Sequence, residues 1–233
     1  MRFHYVLLDA NVVAAYFSPK TTRNKTLVAR ATKLMEGQSS EIKVRFLISN
    51  FCIAEVFSVF EKYRWGRTWN AHVKKVNTLT PKEFSKVRQS FRAAIHNSSR
   101  LNQVELDRYH VLCVDLISPI NNAYKITRDR GQSKKNSNPA STYDMLIAAM
   151  GIWLASLHGR DNFTIVTGDR RLADVLARAR SVSLSTAMKN HLKETAAYLG
   201  LSYSSDLYPE VVDLAHSSKA DLRGRFSQWL PDW

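Results

Sequence analysis

The amino-acid sequence predicts an α/β protein in which a central, mostly parallel sheet of four or five strands lies between two layers of helices. Two observations support this fold class. Short apolar segments alternate along the chain with longer helical stretches, and these segments are continuously apolar rather than alternating with polar residues. Strands of that kind are buried on both faces, which is typical of a parallel sheet covered by helices on each side.

The first half of the chain supplies two strands and three helices. Residues 3–9 are short and apolar and end in a carboxylate, which predicts the first strand. Residues 27–36 predict a helix that Gly37 ends. Residues 44–48 predict the second strand, and Asn50 is a suitable N-cap for a helix that runs to about residue 63. Thr80 and Glu83 match a capping box, with Pro81 at the first helical position of a helix that ends near residue 96.

The second half continues the alternation. Residues 111–114 predict a third strand, and a helix from about Pro119 leads into a polar loop at 128–139. An apolar helix follows to residue 157, and residues 163–167 predict a fourth strand that turns at Gly168 into another helix.

The remainder, 181–233, contains a helix at about 186–199 and an edge strand near 208–212. We therefore predict a domain at 1–180, with an enlarged helical and basic region at about 62–140. Residues 181–233 are expected to form a C-terminal helical extension packed on the same domain.

Composition limits the partners. The chain has 233 residues, 45% hydrophobic and 23% charged, which favours a globular protein over a disordered or fibrous one. A formal net charge of +14 favours polyanionic partners, with nucleic acid first. Cys52 and Cys113 lie in apolar runs and fit buried free thiols in a reducing, cytoplasmic setting. The longest apolar run, 145–155, is far below the roughly 20 residues that span a bilayer, so no membrane partner is expected.

Four acids stand out by position. Asp9 and Asp169 follow strands whose carboxyl ends should meet at one edge of the sheet, although either could simply cap the next helix. Glu55 lies on an almost wholly apolar helix, where a carboxylate needs a partner, and a buried salt bridge is the alternative. Asp144 matches the capping-box pattern after Ser141, so a capping role is the alternative there. Carboxylates gathered in this way suit Mg²⁺ or Mn²⁺, which could activate a water for phosphodiester cleavage.

Four segments, at residues 6–13, 54–58, 143–149 and 165–172, resemble the motifs of PIN-domain nucleases in the same order. The resemblance implies a metal-dependent endoribonuclease in which Asp9, Glu55, Asp144 and Asp169 are the catalytic metal ligands. Asn11 and Thr167 match positions that support the acids by hydrogen bonding. Many family members are toxins of toxin–antitoxin pairs and many are homodimers, so an acidic antitoxin and a homodimer are implied as partners. This chain is longer than the compact toxins.

Two basic stretches are candidates for RNA binding, because cations that hold phosphates and aromatic rings that stack on bases are typical of single-strand recognition. The residues concerned are Lys62, Arg64, Trp65, Arg67, Lys74 and Lys75 in the first stretch and Arg128, Arg130, Lys134 and Lys135 in the second. Core packing of the aromatic residues and an ordinary surface loop are the alternatives. A third group, Lys219, Arg223 and Arg225, has no partner that the sequence identifies.

Two other functions remain open. A phosphatase resembling the haloacid-dehalogenase family would use Asp9 as nucleophile, but that family has a second Asp two residues later, where this chain has Asn11. A non-catalytic RNA-binding module of PIN type would keep the fold and the charge without cleavage. Serine hydrolases and P-loop or dinucleotide-binding proteins are disfavoured, since the sequence contains neither a Gly-x-Ser-x-Gly elbow nor a glycine-rich phosphate loop.

Overall fold

A computed structural model of the chain describes residues 2–21, 24–37, 42–69, 78–97, 101–129, 139–181, 184–230 and 233. Its strands are β1 (Arg2–Leu8), β2 (Ile42–Ser49), β3 (Leu101–Val104), β4 (Phe163–Thr167) and β5 (Glu210–Asp213). They form one parallel sheet in the order β3-β2-β1-β4-β5. The predicted α/β class, with a central parallel sheet of four or five strands, is confirmed.

Helices flank this sheet. Those in the described residues are α1 (Ala10–Phe17), α2 (Lys25–Glu36), α3 (Asn50–Trp69), α4 (Pro81–His96), α5 (Arg108–Leu112), α6 (Val114–Asp129), α7 (Thr142–His158), α8 (Arg170–Ser181), α9 (Thr186–Tyr198) and α10 (Lys219–Phe226). Two short 3-10 helices, Arg160–Asn162 and Ser205–Leu207, precede β4 and β5.

The chain divides into two compact units. The first consists of Met1–Glu105, Val166–Gly168 and Leu214–Trp233, and the second of Leu106–Ile165 and Asp169–Asp213. Residues of the predicted C-terminal extension are thus shared between the two units, and the predicted domain boundary near residue 180 stays a prediction.

In the first unit, the apolar residues at the carboxyl end of β1 are buried. Val6 and Leu7 pair with Phe46 and Leu47 of β2 in parallel register. Val6, Leu7 and Leu8 are all buried, although consecutive residues of a strand point to opposite faces of the sheet. Both faces of β1 are therefore covered at its carboxyl end, which is where the chain reaches Asp9.

A cluster of phenylalanine rings joins α1, α3 and α4. The ring centre of Phe91 on α4 lies 5.2 Å from that of Phe17, 5.1 Å from that of Phe57 and 5.7 Å from that of Phe60, all with tilted or edge-on geometry. Edge-to-face pairs at these distances stabilise a core beyond the area they bury. The cluster holds α1 and α3, the helices that follow the first and second strands.

Two helix starts show how the local sequence sets boundaries. The capping box of α4 is confirmed, because Thr80 Oγ1 accepts from the Glu83 N–H and Glu83 Oε2 accepts from the Thr80 N–H. The predicted N-cap of α3 was one residue late. Ser49 Oγ accepts from the Cys52 N–H at 3.1 Å, so Ser49 caps the helix and Asn50 is already part of it.

In the second unit, α7 approaches β4 closely. A Cβ at Gly151 would lie 2.3 Å from Ile165 Cδ1 and 3.0 Å from Ile165 Cγ1, so a larger residue here would require the Ile165 side chain to move. The hydroxyl of Tyr208, which is fully buried, donates to the Leu116 carbonyl oxygen at 2.9 Å and anchors the segment that leads into β5. The predicted edge strand near 208–212 is confirmed as β5.

The predicted strand at 111–114 was wrong, because this segment is helical. Asp107 accepts from the N–H groups of Tyr109 and His110, and His110 Nδ1 accepts from the Asp107 N–H, so α5 begins just before the apolar run. The third strand is instead β3. The next helix was predicted from Pro119 but begins at Val114 and contains Pro119.

Candidate functional site

Asp9 stands at the junction of β1 and α1, in the first unit. It occupies the N-cap position of α1, but its side chain makes no capping hydrogen bond. The Asp9 N–H donates to the Val166 carbonyl oxygen at 3.0 Å, and only 4% of the residue is exposed. The capping alternative considered for Asp9 therefore does not describe its carboxylate.

Two neutral side chains donate to this carboxylate. Asn11 Nδ2 lies 2.5 Å from Asp9 Oδ2, and Thr167 Oγ1 lies 2.6 Å from the same oxygen. Short hydrogen bonds to a carboxylate favour its charged form and fix its orientation. Asn11 and Thr167 thus occupy the positions that the family resemblance gives to supporting residues, and their part in a reaction stays a prediction.

Asn11 is itself held by the backbone at Gly168. The Gly168 N–H donates to Asn11 Oδ1 at 2.7 Å, which identifies the amide nitrogen of Asn11 as the atom facing Asp9. A Cβ at position 168 would lie 3.0 Å from Asn11 Oδ1 and 2.9 Å from Leu27 Cδ2. Glycine at 168 therefore permits the close approach that positions Asn11.

Glu55 and Cys52 complete the group that we call the Asp9 cluster, comprising Asp9, Cys52 and Glu55. One ligand atom from each lies within 4.8 Å of the others. Cys52 and Glu55 are three residues apart on α3 and so share a face of the helix. Cys52 was predicted only to be a buried thiol, although its spacing from Glu55 could have indicated that the two side chains lie close together.

Glu55 differs from the expectation of a buried carboxylate, because it is exposed. Ala54 and Ser58 of the same helix are exposed as well, so an apolar helix here still presents one open stripe. An exposed carboxylate keeps its hydration, and the buried salt bridge considered as the alternative is not required.

The electrostatics of the Asp9 cluster are visible at Cys52. Burial raises the pKa of the Cys52 thiol to about 12, and the negative charge of Asp9 adds to the increase, followed by a smaller contribution from Glu55. The thiol is therefore protonated at neutral pH. Two carboxylates this close repel each other unless a cation or a proton intervenes. Their oxygens suit Mg²⁺ or Mn²⁺, and separations below 5 Å allow both to reach one ion after small shifts.

Asp144 lies in the second unit, at the start of α7. Ser141 Oγ accepts from the Asp144 N–H at 3.2 Å, and Asp144 Oδ2 accepts from the Ser141 N–H at 2.7 Å. The predicted capping box at this helix start is confirmed. Asp144 is also buried, with 7% of the residue exposed.

Asp169 caps α8 and binds an arginine. Its Oδ1 accepts from the Arg171 N–H at 2.8 Å, and its two oxygens accept from the Arg171 guanidinium at 2.5 to 3.1 Å. Arg171 Nη2 also lies 4.0 Å from Asp144 Oδ2. We call Asp144, Asp169 and Arg171 the Arg171 cluster. Arg171 lies within the motif at residues 165–172, but the sequence predicted no role for it.

The first basic stretch is described only in part. Arg64 lies over the Trp65 ring, 4.1 Å from its centre, and Trp65 Nε1 donates to Glu61 Oε2 at 2.9 Å. Trp65 is 39% exposed and Lys62 is exposed, so neither side chain belongs to the core. The other predicted RNA-binding side chains lie outside the described part, namely Arg67, Lys74, Lys75, Arg128, Arg130, Lys134 and Lys135.

Cys52 and Cys113 are buried free thiols, as predicted.

Among the described helices, none is both long and apolar enough to cross a membrane.

No protein-family model and no curated protein matches the chain. Among solved structures, VapBC2 from Rickettsia felis bound to a DNA fragment from their promoter is similar, with a TM-score of 0.39 and 14% sequence identity over 73% of this chain and 92% of that chain. The relation to PIN-domain nucleases therefore stays a resemblance carried by the four sequence motifs.

Proposed function

We propose that the protein is a metal-dependent endoribonuclease that hydrolyses RNA phosphodiester bonds. The observation that supports this most directly is the Asp9 cluster, in which a buried carboxylate that accepts from two neutral donors has an oxygen within 4.8 Å of an oxygen of an exposed carboxylate. Asp9 and Glu55 would hold Mg²⁺ or Mn²⁺. When bound, the ion would activate a water for attack and neutralise charge on the phosphodiester.

The residues of this chain have separate tasks in the proposed reaction. Asn11 and Thr167 keep Asp9 Oδ2 oriented, so that the carboxylate does not need to reorganise during the reaction. Glu55 is exposed, so both water and substrate can reach its carboxylate, which can accept a proton from water. The sequence motifs extend the ligand set to Asp144 and Asp169, and the proposal includes these two acids on that ground alone.

The phosphatase alternative loses support at Asn11. A general acid is needed two residues after the nucleophile, but the Asn11 amide carries no acidic proton, and both of its polar atoms are engaged, with Asp9 and with Gly168. The non-catalytic alternative keeps its place as an outcome of the activity test. A toxin role, an acidic antitoxin partner and a homodimer are implied by the family resemblance, and they are part of the proposal on that basis.

The test is cleavage of total RNA with Mn²⁺ or Mg²⁺, with the cut ends mapped. We expect cleavage by the wild-type protein, loss of cleavage in EDTA, and a rate reduced more than about 100-fold in Asp9→Asn, beyond the 10–100-fold typical of outer-shell partners. Asp161→Asn is the matched control, because Asp161 is an exposed carboxylate outside both clusters. Full activity of Asp9→Asn, or activity that persists in EDTA, would exclude the proposal.

A further inference from the structure

A cleft with a volume of about 910 Å³ opens on the first unit between α2 and α10. It is separate in sequence from the residues of the Asp9 cluster. Its lining includes Arg30 and Lys33 from α2, Lys219 and Arg223 from α10, and Trp233. The volume lies within the range of ordinary ligand sites, so the cleft can take a ligand rather than a single ion.

The cations of the cleft come from matching faces of the two helices. Arg30 and Lys33 are three residues apart, and Lys219 and Arg223 are four apart, so each pair projects from one side of its helix. Among the residues that the structure describes, the lining includes no Asp or Glu side chain. Within the described residues, none of these four cations forms an ion pair with an acid.

The acid on α10 that lies between Lys219 and Arg223 in sequence is Asp221, and it forms an ion pair within its own helix. Asp221 Oδ1 accepts from Arg225 Nε at 2.9 Å, one turn along the same helix. Arg30 is fixed by donating from Nη1 to the Leu214 carbonyl oxygen at 2.8 Å, which leaves its positive charge without a counter-charge from that contact. Two helices thus present a concentrated positive potential to one cleft, and clefts focus such a potential on an incoming anion.

Trp233 adds an aromatic surface to this charge. Lys33 Nζ lies 5.5 Å from the centre of the Trp233 ring, and the ring packs edge-on against Phe226, with centres 4.4 Å apart. Phe226 is fully buried, so this contact ties the indole to the core. A fixed indole beside several cations is the combination that holds single-stranded nucleic acid, with phosphates on the cations and a base against the ring.

We propose that this cleft binds a segment of single-stranded RNA, with its phosphates on Lys33, Lys219 and Arg223 and a base against Trp233. The choice of RNA rests on the proposed ribonuclease function, whereas the recognition of phosphates and a base rests on the cleft alone. The cleft is therefore an additional substrate-binding surface, outside the acids that are proposed to cut.

The test measures binding of a labelled oligo-uridine to the full chain by fluorescence anisotropy. EDTA is present so that binding is measured without metal-dependent cleavage. We expect Lys33→Gln combined with Lys219→Gln to weaken binding at least tenfold. Each phosphate contact to a single strand contributes about 0.7 to the slope of log Kobs against log salt concentration. Loss of two contacts should therefore reduce the magnitude of this slope by about 1.4. Lys43→Gln combined with Lys82→Gln is the matched control, with the same charge change at two exposed lysines outside the cleft, and it should bind within about twofold of wild type.

Trp233→Leu tests the base contact. It should weaken oligo-uridine binding by about 5- to 150-fold, the range of stacking on one aromatic side chain, and leave binding of an abasic strand unchanged. Equal loss for both strands would overturn the stacking assignment. A polyglutamate peptide that binds as tightly as RNA and depends equally on Lys33 and Lys219 would identify the cleft as a site for an acidic protein segment instead.

The outcomes separate this inference from the proposed function. If the lysine pair and its control bind RNA alike while the wild-type protein still cleaves RNA, the cleft inference fails and the ribonuclease proposal stands. If the lysine pair loses binding and no metal supports cleavage, the cleft stands as a nucleic-acid site and the ribonuclease proposal fails.

Discussion

The Asp9 cluster and the Arg171 cluster both contain acids, but they differ in the groups that bind those acids. Asp9 accepts hydrogen bonds from Asn11 and Thr167, which are neutral. Asp169 accepts from a guanidinium that also lies near Asp144. Neutral donors orient a carboxylate without cancelling its charge, whereas a guanidinium does both.

This difference predicts which acids a bound metal should affect most. Burial is the main cause of the raised pKa of Cys52, and the negative charges of Asp9 and Glu55 add to it, so a cation bound at this cluster would offset charge that both carboxylates contribute. In the second cluster, Arg171 already supplies positive charge and the Asp144 carboxylate also closes a capping box. We therefore expect metal to affect the Asp9 cluster strongly, whereas Asp144 and Asp169 should retain an important structural role.

The largest effect is expected at Glu55. Glu55→Gln should reduce RNA cleavage more than about 100-fold, because it removes a proposed ligand charge, and should leave the melting temperature nearly unchanged, because the side chain is exposed. Cleavage rates and melting curves are compared with those of Glu36→Gln, an exposed glutamate on α2. Normal activity in Glu55→Gln would remove this residue from the site.

The pH dependence of folding stability should come in part from His4. Burial lowers the pKa of His4 from 6.5 to about 4, with a smaller contribution from Arg2, and its ring stacks on Trp229 with centres 4.4 Å apart. The unfolded chain therefore binds a proton more readily, so stability is complete above about pH 6.5 and falls as the pH decreases towards 4, by about 3 kcal/mol. His4→Phe should keep the ring contact and remove this pH dependence, as measured by urea unfolding at pH 7 and 4.5. An unchanged slope would assign the loss to the carboxylates.

The next effect concerns the donors of Asp9. Thr167→Val keeps the shape of the side chain but removes a hydrogen bond to a buried carboxylate, so it should cost about 1–3 kcal/mol of stability. Cleavage should fall about 10–100-fold, as for other outer-shell partners. Thr26→Val, at an exposed position of α2, provides the control in both assays. Equal stability of the two variants would show that Asp9 does not depend on Thr167.

The smallest effect is expected at Arg171. Arg171→Gln removes the cation beside Asp169 and Asp144 and should lower stability in EDTA by less than about 1 kcal/mol, because the guanidinium is 42% exposed and solvent screens the pair. Millimolar Mn²⁺ should restore part of that loss if the two acids can accept a metal. Arg170→Gln is the control. Arg170 lies on the same helix, is exposed, and forms an ion pair with Asp174 that is long, at 3.9 Å. Identical melting of the two variants would contradict the role of Arg171.

Several elements could be predicted because their signals are local. Residues 6–8 of β1 are apolar and buried, β4 is buried throughout, and the α4 and α7 starts carry capping residues that make the expected hydrogen bonds. β3 could not be found in this way, since Leu101–Val104 has two polar residues between its apolar ends. The apolar run at 111–114 was misleading because Val111 and Leu112 are exposed on a helix, and a short apolar run alone does not separate strand from helix.

The candidate site divides in the same way. Asp9 was found because a carboxylate after a buried strand lies at a predictable edge of the sheet. The exposure of Glu55 was not predicted, since it depends on which face of α3 the rest of the fold leaves open. The guanidinium between Asp169 and Asp144 depends on side-chain rotamers and on two helix starts far apart in sequence, so no local pattern indicates it.

The central claim is that Asp9 and Glu55 form a metal site, and thermal melting with increasing Mn²⁺ tests it most directly. At a hundredfold excess over the dissociation constant, binding to the folded state adds about 2.7 kcal/mol, which should raise the melting temperature by about 5–10 °C. We predict this shift for the wild-type protein and for Asp161→Asn, and no shift for Asp9→Asn. An equal shift in Asp9→Asn, or none in the wild-type protein, would contradict the claim.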